Sequence, residues 1–117
     1  MTLNYFKQEE FTCKCGCGQT VISDTLLQML DEAREFSKIK FTINSGYRCE
    51  NHSESIKNPK SSHIKGLAVD ISCTSSKNRA IMIDALGYVG FKRFGIADTF
   101  IHVDIDDQKL NPAIWLY

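Results

Sequence analysis

Apolar residues recur at helical spacing in one long stretch and at strand spacing in several shorter ones. Leu26, Leu27, Leu30, Ala33 and Phe36 return every three to four residues, which predicts a helix from about Asp24 to Lys38. Ser23 stands where an N-cap oxygen is needed, and Asp24 and Lys38 suit the two ends of the helix dipole. Phe41-Thr42-Ile43-Asn44 predicts a short strand closed by Ser45-Gly46. The polar run from Cys49 to Ser62, with its Asn58-Pro59 turn signal, predicts a surface loop. Leu67–Ser72 alternates and is rich in β-branched residues, the strongest strand signal in the chain. Ser75 or Ser76 can cap a second helix from Lys77 to about Leu86, ending near Gly87. Two more extended pieces follow, Phe91–Phe94 and Phe100–Ile105. Helices and strands mixed in this order predict an α+β domain, with a small, mostly antiparallel sheet packed against helices.

Composition narrows the possibilities. A chain of 117 residues has room for one domain and one core, so residues 1–117 are read as a single domain. Its 43% hydrophobic and 24% charged residues are ordinary globular values. Fourteen basic residues balance fourteen acidic ones, which removes the positive field that nucleic-acid binding rests on. No apolar run approaches the ~20 residues of a membrane span. Met1–Glu10 lacks the basic-then-apolar order of a signal peptide, so synthesis in the cytoplasm is expected. Nothing in the apolar pattern demands a partner chain, and a monomer is the expectation.

Five cysteines remain to be placed. Cys13, Cys15 and Cys17 sit on alternate residues, while Cys49 and Cys73 stand apart. An odd count without a secretion signal argues against a disulfide framework. Three close thiols invite a metal, but zinc knuckles space paired cysteines two to four residues apart and need a fourth ligand. The expectation is a turn rich in cysteine and glycine with partly buried thiols; a structural zinc there is the weaker alternative.

The candidate chemistry lies with His63, Asp70 and His102. On a strand, Ala68, Asp70 and Ser72 point one way and Leu67, Val69 and Ile71 the other. A carboxylate in so apolar a run needs a partner when buried, and a metal ion is one. His102 and Asp104 share a face by the same alternation. If the two strands are neighbours, His102 approaches Asp70 and His63 reaches both from the preceding loop. Two imidazoles and one carboxylate make a three-ligand site with an open position, the form of catalytic zinc, and this mixed donor set suits Zn2+ better than magnesium or calcium.

Three ordered elements strengthen this reading. Ser61-Ser62-His63-Ile64-Lys65-Gly66-Leu67-Ala68-Val69-Asp70 has the form Ser-x-His-x-x-Gly-x-Ala-x-Asp, His102-Val103-Asp104 follows late, and Ser45-Gly46-Tyr47-Arg48 precedes both. Together they resemble the M15 peptidases, the family of zinc D-Ala-D-Ala carboxypeptidases and L-alanyl-D-glutamate endopeptidases. The resemblance implies the Hedgehog/DD-peptidase fold, with zinc on His63, Asp70 and His102. It implies a catalytic and substrate-binding role for Arg48 and a substrate-holding role for Ser61. Gly66 and Ala68 would be small to avoid crowding the site. Many members carry a carboxylate three residues before the last zinc histidine as general base. That position is Thr99 here, and the nearest carboxylate is Asp98, one residue earlier. Asp98, reaching in from a turn, is the favoured base. Asp104 is expected instead to accept an imidazole N–H and fix a histidine's tautomer.

The implied activity is hydrolysis of D-amino-acid-containing stem peptides of bacterial peptidoglycan by metal-activated water. D-Ala-D-Ala, L-Ala-D-Glu and cross-bridge bonds fit the motifs alike. Without a leader, an enzyme acting on the wall is expected to arrive by phage-type release, or in the periplasm from a trimmed precursor. The alternative is a weakly active or inactive zinc-containing module of the same fold that binds wall fragments. His52 is expected to be a plain loop histidine, and Trp115 and Tyr117, with Ile114 and Leu116, are expected to close the core, with lining of the cleft as the alternative.

Overall fold

The computed structural model describes residues 2–117. A 3-10 turn over Gln8–Phe11 leads, through an irregular segment, into α1 (Asp24–Ser37). Ser23 accepts the amide of Leu26 at 3.2 Å and so starts the helix as expected. Lys38 ends it in the left-handed conformation, with φ of 63°. The chain continues through β1 (Ile43–Ser45), α2 (Ser53–Lys57) and β2 (Ala68–Ser72), then α3 (Ser76–Tyr88), β3 (Arg93–Ile96), β4 (Phe100–Asp104) and β5 (Ala113–Leu116). Ser75 is the cap of α3, accepting the amide of Asn78 at 3.1 Å.

The five strands form one sheet in the order β1-β2-β4-β3-β5. Three pairings are antiparallel, and β5 runs parallel to β3 at the edge. Because β3 and β4 form a hairpin, β4 ends beside the start of β3. The connection then passes over that end and enters β5 in the direction of β3.

The sheet has two chemically distinct faces. Val69, Ile71, Ile101, Val103 and Phe94 point to one side and pack with Leu26, Leu27 and Leu30 of α1 and Met82, Ala85 and Leu86 of α3. That is the core. On the other side Asp70, His102, Gly95 and Trp115 lie in a single register row across four strands. The fold is therefore α+β as predicted, and its second face is left for chemistry.

Four local expectations need correction. The polar run from Cys49 to Ser62 contains the short helix α2. His52 is not a plain loop residue but its N-cap, Nδ1 accepting the amide of Glu54 at 3.0 Å. Phe36, read as a core position of α1, is half exposed and stacks on Tyr88 with centroids 4.2 Å apart. The terminal segment is an edge strand rather than a core lid: Ile114 and Leu116 are exposed, and Trp115 lies on the polar face. No helix among the described residues is long and apolar enough to cross a membrane.

Candidate metal centre

Adjacent strands do most of the positioning. Asp70 of β2 pairs directly with His102 of β4, and both side chains project to the polar face. His63 comes from the turn before β2, and its backbone is fixed from both sides: its amide donates to Ser61 Oγ at 3.2 Å, and its carbonyl accepts the amide of Arg48, also at 3.2 Å. One ligand atom each from His63, Asp70 and His102 lies within 4.8 Å of the others, and all three residues are buried.

Each imidazole has one nitrogen committed outward. His63 Nδ1 lies 2.8 Å from the carbonyl oxygen of Gly46, to which it donates its proton. His102 Nε2 lies 2.7 Å from Asp104 Oδ2 and donates likewise. The remaining nitrogens, His63 Nε2 and His102 Nδ1, face Asp70 Oδ1 at 3.4 and 3.0 Å. With both rings neutral, three lone-pair donors converge with no proton among them. Such a cluster needs a cation or an extra proton. Two nitrogens and a carboxylate oxygen are the donor set of a zinc site with an open position, so the residues present fit that ion.

The electrostatics point the same way. Burial alone would raise the Asp70 carboxyl, but His102 and His63 outweigh it and hold Asp70 well below the usual carboxylate range. For His102, burial works against the charged form, while Asp104 and Asp70 overcome it and raise the imidazole above its ordinary value. Asp104 is fully engaged: its other oxygen accepts Arg93 Nε at 2.7 Å and the amide of Asp106 at 3.1 Å. Burial again opposes ionisation at Asp104, and His102 and Arg93 again prevail.

Above these residues opens a cleft of about 440 Å³. Arg48 and Ser61 line it, as do Glu54 of α2 and Asn58 just beyond that helix. Arg48 Nη2 stands 3.4 Å from Asp70 Oδ2, which aims its guanidinium along the cleft floor. Trp115 and Tyr117 form an aromatic wall, the indole 5.4 Å from the His102 ring and Tyr117 tilted against Phe100 at 5.1 Å. Arg93 lies under that wall, 4.9 Å from the Trp115 ring centroid. All five residues from Ala113 to Tyr117 are apolar, so the sequence alone does not separate the side that meets the cleft from the side that meets solvent.

The other expected site residues fall as follows. Asp98 is exposed in the β3–β4 turn, its carbonyl accepts from Arg79, and it does not line the cleft. Gly66 is small for a different reason from the one expected. It has φ of 72°, and a Cβ there would lie 2.3 Å from the carbonyl oxygen of Val21, so it accommodates the approach to α1 rather than the site. Gly46 packs in the same way: its Cβ would meet Phe11 backbone at 2.7 Å, while its carbonyl orients His63. Asp106, unnoticed in the sequence, is fully buried and accepts from Ser62 Oγ at 2.7 Å and Lys65 Nζ at 3.0 Å. It ties the His63 turn to the end of β4.

Comparison with known proteins places the chain in a family. The family model described as Peptidase M15 matches residues 4–104, a span that includes Arg48, His63, Asp70 and His102. No significant match was found among curated proteins or solved structures.

Proposed function

The chain belongs to the M15 peptidase family, and on that premise we propose that it is a zinc-dependent peptidase that hydrolyses D-amino-acid-containing stem peptides of bacterial peptidoglycan. The observation that carries this reading is the convergence of His63, Asp70 and His102 at the floor of the cleft, each histidine oriented through its other nitrogen.

In this reading His63 Nε2, His102 Nδ1 and the Asp70 carboxylate hold the ion. Bound there, zinc supplies Lewis acidity, activating water and polarising an amide carbonyl at neutral pH. The protein does the rest. Asp104 keeps the proton of His102 on Nε2, so that Nδ1 stays a donor. Gly46 does the same for His63 through its carbonyl. Arg48 presents a fixed positive charge beside the reacting position, suited to a substrate carboxylate or to the oxyanion that forms as the amide is attacked. Ser61 places a hydroxyl on the cleft wall, and Trp115 with Tyr117 shields one side from water. The cleft suits a short peptide better than a folded protein, because its volume is small, and Arg48 offers such a peptide a cationic contact beside the ligand cluster.

A second reading is a wall-binding module with little turnover. The exposed position of Asp98 outside the cleft favours it, since the expected base is not at hand. Defined muropeptides distinguish the two. Zinc-loaded protein is expected to release peptide or amino-acid products identifiable by mass, and a chelator to stop the release. Binding without release, with zinc present, would overturn the peptidase reading in favour of the module.

A further inference from the structure

Four of the five cysteines meet at a second point, beside the segment that carries Arg48. The Sγ atoms of Cys13, Cys15, Cys17 and Cys49 all lie within 4.8 Å of one another. Cys13 to Cys15 is 3.5 Å and Cys15 to Cys49 is 3.4 Å, too long for disulfides and close to the edge of a zinc–thiolate tetrahedron, about 3.8 Å for Zn–S bonds of about 2.3 Å. The missing fourth ligand of the Cys-x-Cys-x-Cys run is thus Cys49, brought in from 32 residues beyond Cys17.

The backbone is arranged for such a site. Gly16 and Gly18 adopt φ of 95° and 75°, turning a run that would otherwise be extended around a single point. The amide of Cys49 donates to Cys13 Sγ at 3.3 Å and the amide of Gln19 to Cys17 Sγ at 3.4 Å, contacts that strengthen when the acceptor is a thiolate. The Cys13 amide donates to the Gln19 carbonyl at 2.9 Å and closes the loop. Apolar packing does little here: Cys13, Tyr47 and Cys49 form a small cluster separate from the main core. Cys15 and Cys17 are exposed, so no burial explains why their sulfurs gather with the other two.

We propose that Cys13, Cys15, Cys17 and Cys49 bind a zinc ion of their own, a closed four-thiolate structural site that clamps the N-terminal loop to the Arg48 segment. All four positions are filled by the chain, so the ion has no open corner and takes no part in hydrolysis. Binding releases the thiol protons to solvent. The site is independent of the His63, Asp70, His102 cluster and stands or falls separately from it.

Elemental analysis of the full chain, with cobalt substitution as a second readout, tests this. The unaltered protein is expected to hold two zinc ions. Cys15→Ser and Cys17→Ser each lower this to one and abolish the sulfur-to-cobalt charge-transfer absorption, whereas His63→Ala loses the other ion and keeps that absorption. Cys73, which lies in the main core away from the cluster, serves as control, and Cys73→Ala retains both ions. A variant-free measurement protects against misfolding: in the zinc-loaded protein the exposed Cys15 and Cys17 resist a thiol reagent, and chelation makes them reactive. Immediate reaction of those thiols in the loaded protein, a mass two units low from a disulfide, iron in place of zinc, or a metal content that ignores Cys15→Ser and Cys17→Ser would each overturn the proposal.

Discussion

His102 has a carboxylate on each ring nitrogen, and the two serve different ends. Asp70 meets Nδ1 at 3.0 Å and belongs to the ligand set, while Asp104 meets Nε2 at 2.7 Å and fixes the proton there. Asp104→Asn keeps the shape but removes the charge that strengthens the ring as a donor, so zinc affinity is expected to fall about 10- to 100-fold in chelator competition. An unchanged affinity would mean that strand geometry alone orients the ring. Proton transfer can be assigned by a similar comparison. Of the carboxylates lining the cleft, Asp70 and Asp104 are committed, and Glu54 has only an exposed partner, Lys57, at 3.8 Å. Glu54→Gln is therefore expected to lower kcat about 100-fold and Asp98→Asn to change it less than about twofold. The reverse order in steady-state assays would assign the base to Asp98. Strand alternation made Asp70, His102 and Asp104 legible in the sequence, since it needs only a parity count. The Asp104–Arg93 pair was not legible, because it depends on which strands become neighbours.

Gly95 shows how one element depends on its neighbours. It sits in β3 between His102 on one side and Trp115 on the other. A Cβ there would lie 2.6 Å from Trp115 Nε1 and 2.8 Å from Tyr117 Cε2, so the missing side chain is what lets the aromatic wall lie down on the sheet. Gly95→Ala is expected to push Trp115 and Tyr117 away from the cleft. That should raise KM several-fold and shift tryptophan fluorescence, while zinc content stays the same because no ligand moves. Loss of zinc in that variant would show that the wall also supports His102. The strands and helices of the core were legible because burial imposes a period on them. α2 and β5 escaped because neither faces the core: α2 is a five-residue helix with one buried residue, Ser55, and β5 is an edge strand with Ile114 and Leu116 in water and Trp115 on the polar face. A helix of little more than one turn and a strand apolar on both faces leave no hydrophobic rhythm to read.

The molecule as a whole is held by apolar packing on one face of its sheet and by charge on the other, so its stability should respond to pH and to metal. Asp106 illustrates the first. Burial would raise its carboxyl, but Ser62, Lys65 and the Gln108 amide outweigh that and keep it below the usual range. Its folded pKa is depressed, so its contribution is present above the unfolded value of about 4 and is lost as pH falls through the folded one. Asp106→Asn should cost about 1–3 kcal/mol near neutrality, and the gap from the unaltered protein should narrow in acid. A gap independent of pH in thermal melts would assign the loss to packing instead. Metal removal tests the larger contribution. An ion that binds only the folded chain adds about 4 kcal/mol when present at a thousand times its Kd, and a domain near this size shifts in Tm by about 4 °C per kcal/mol. With two sites sharing no side chain, chelation should lower Tm in two separable parts, each on the order of 16 °C under those conditions. Cys17→Ser should lose only the thiolate part of the chelator response, and His63→Ala only the cleft part. A Tm that ignores the chelator in the unaltered protein would mean that the apolar face suffices, and that neither cluster exists to hold the fold together.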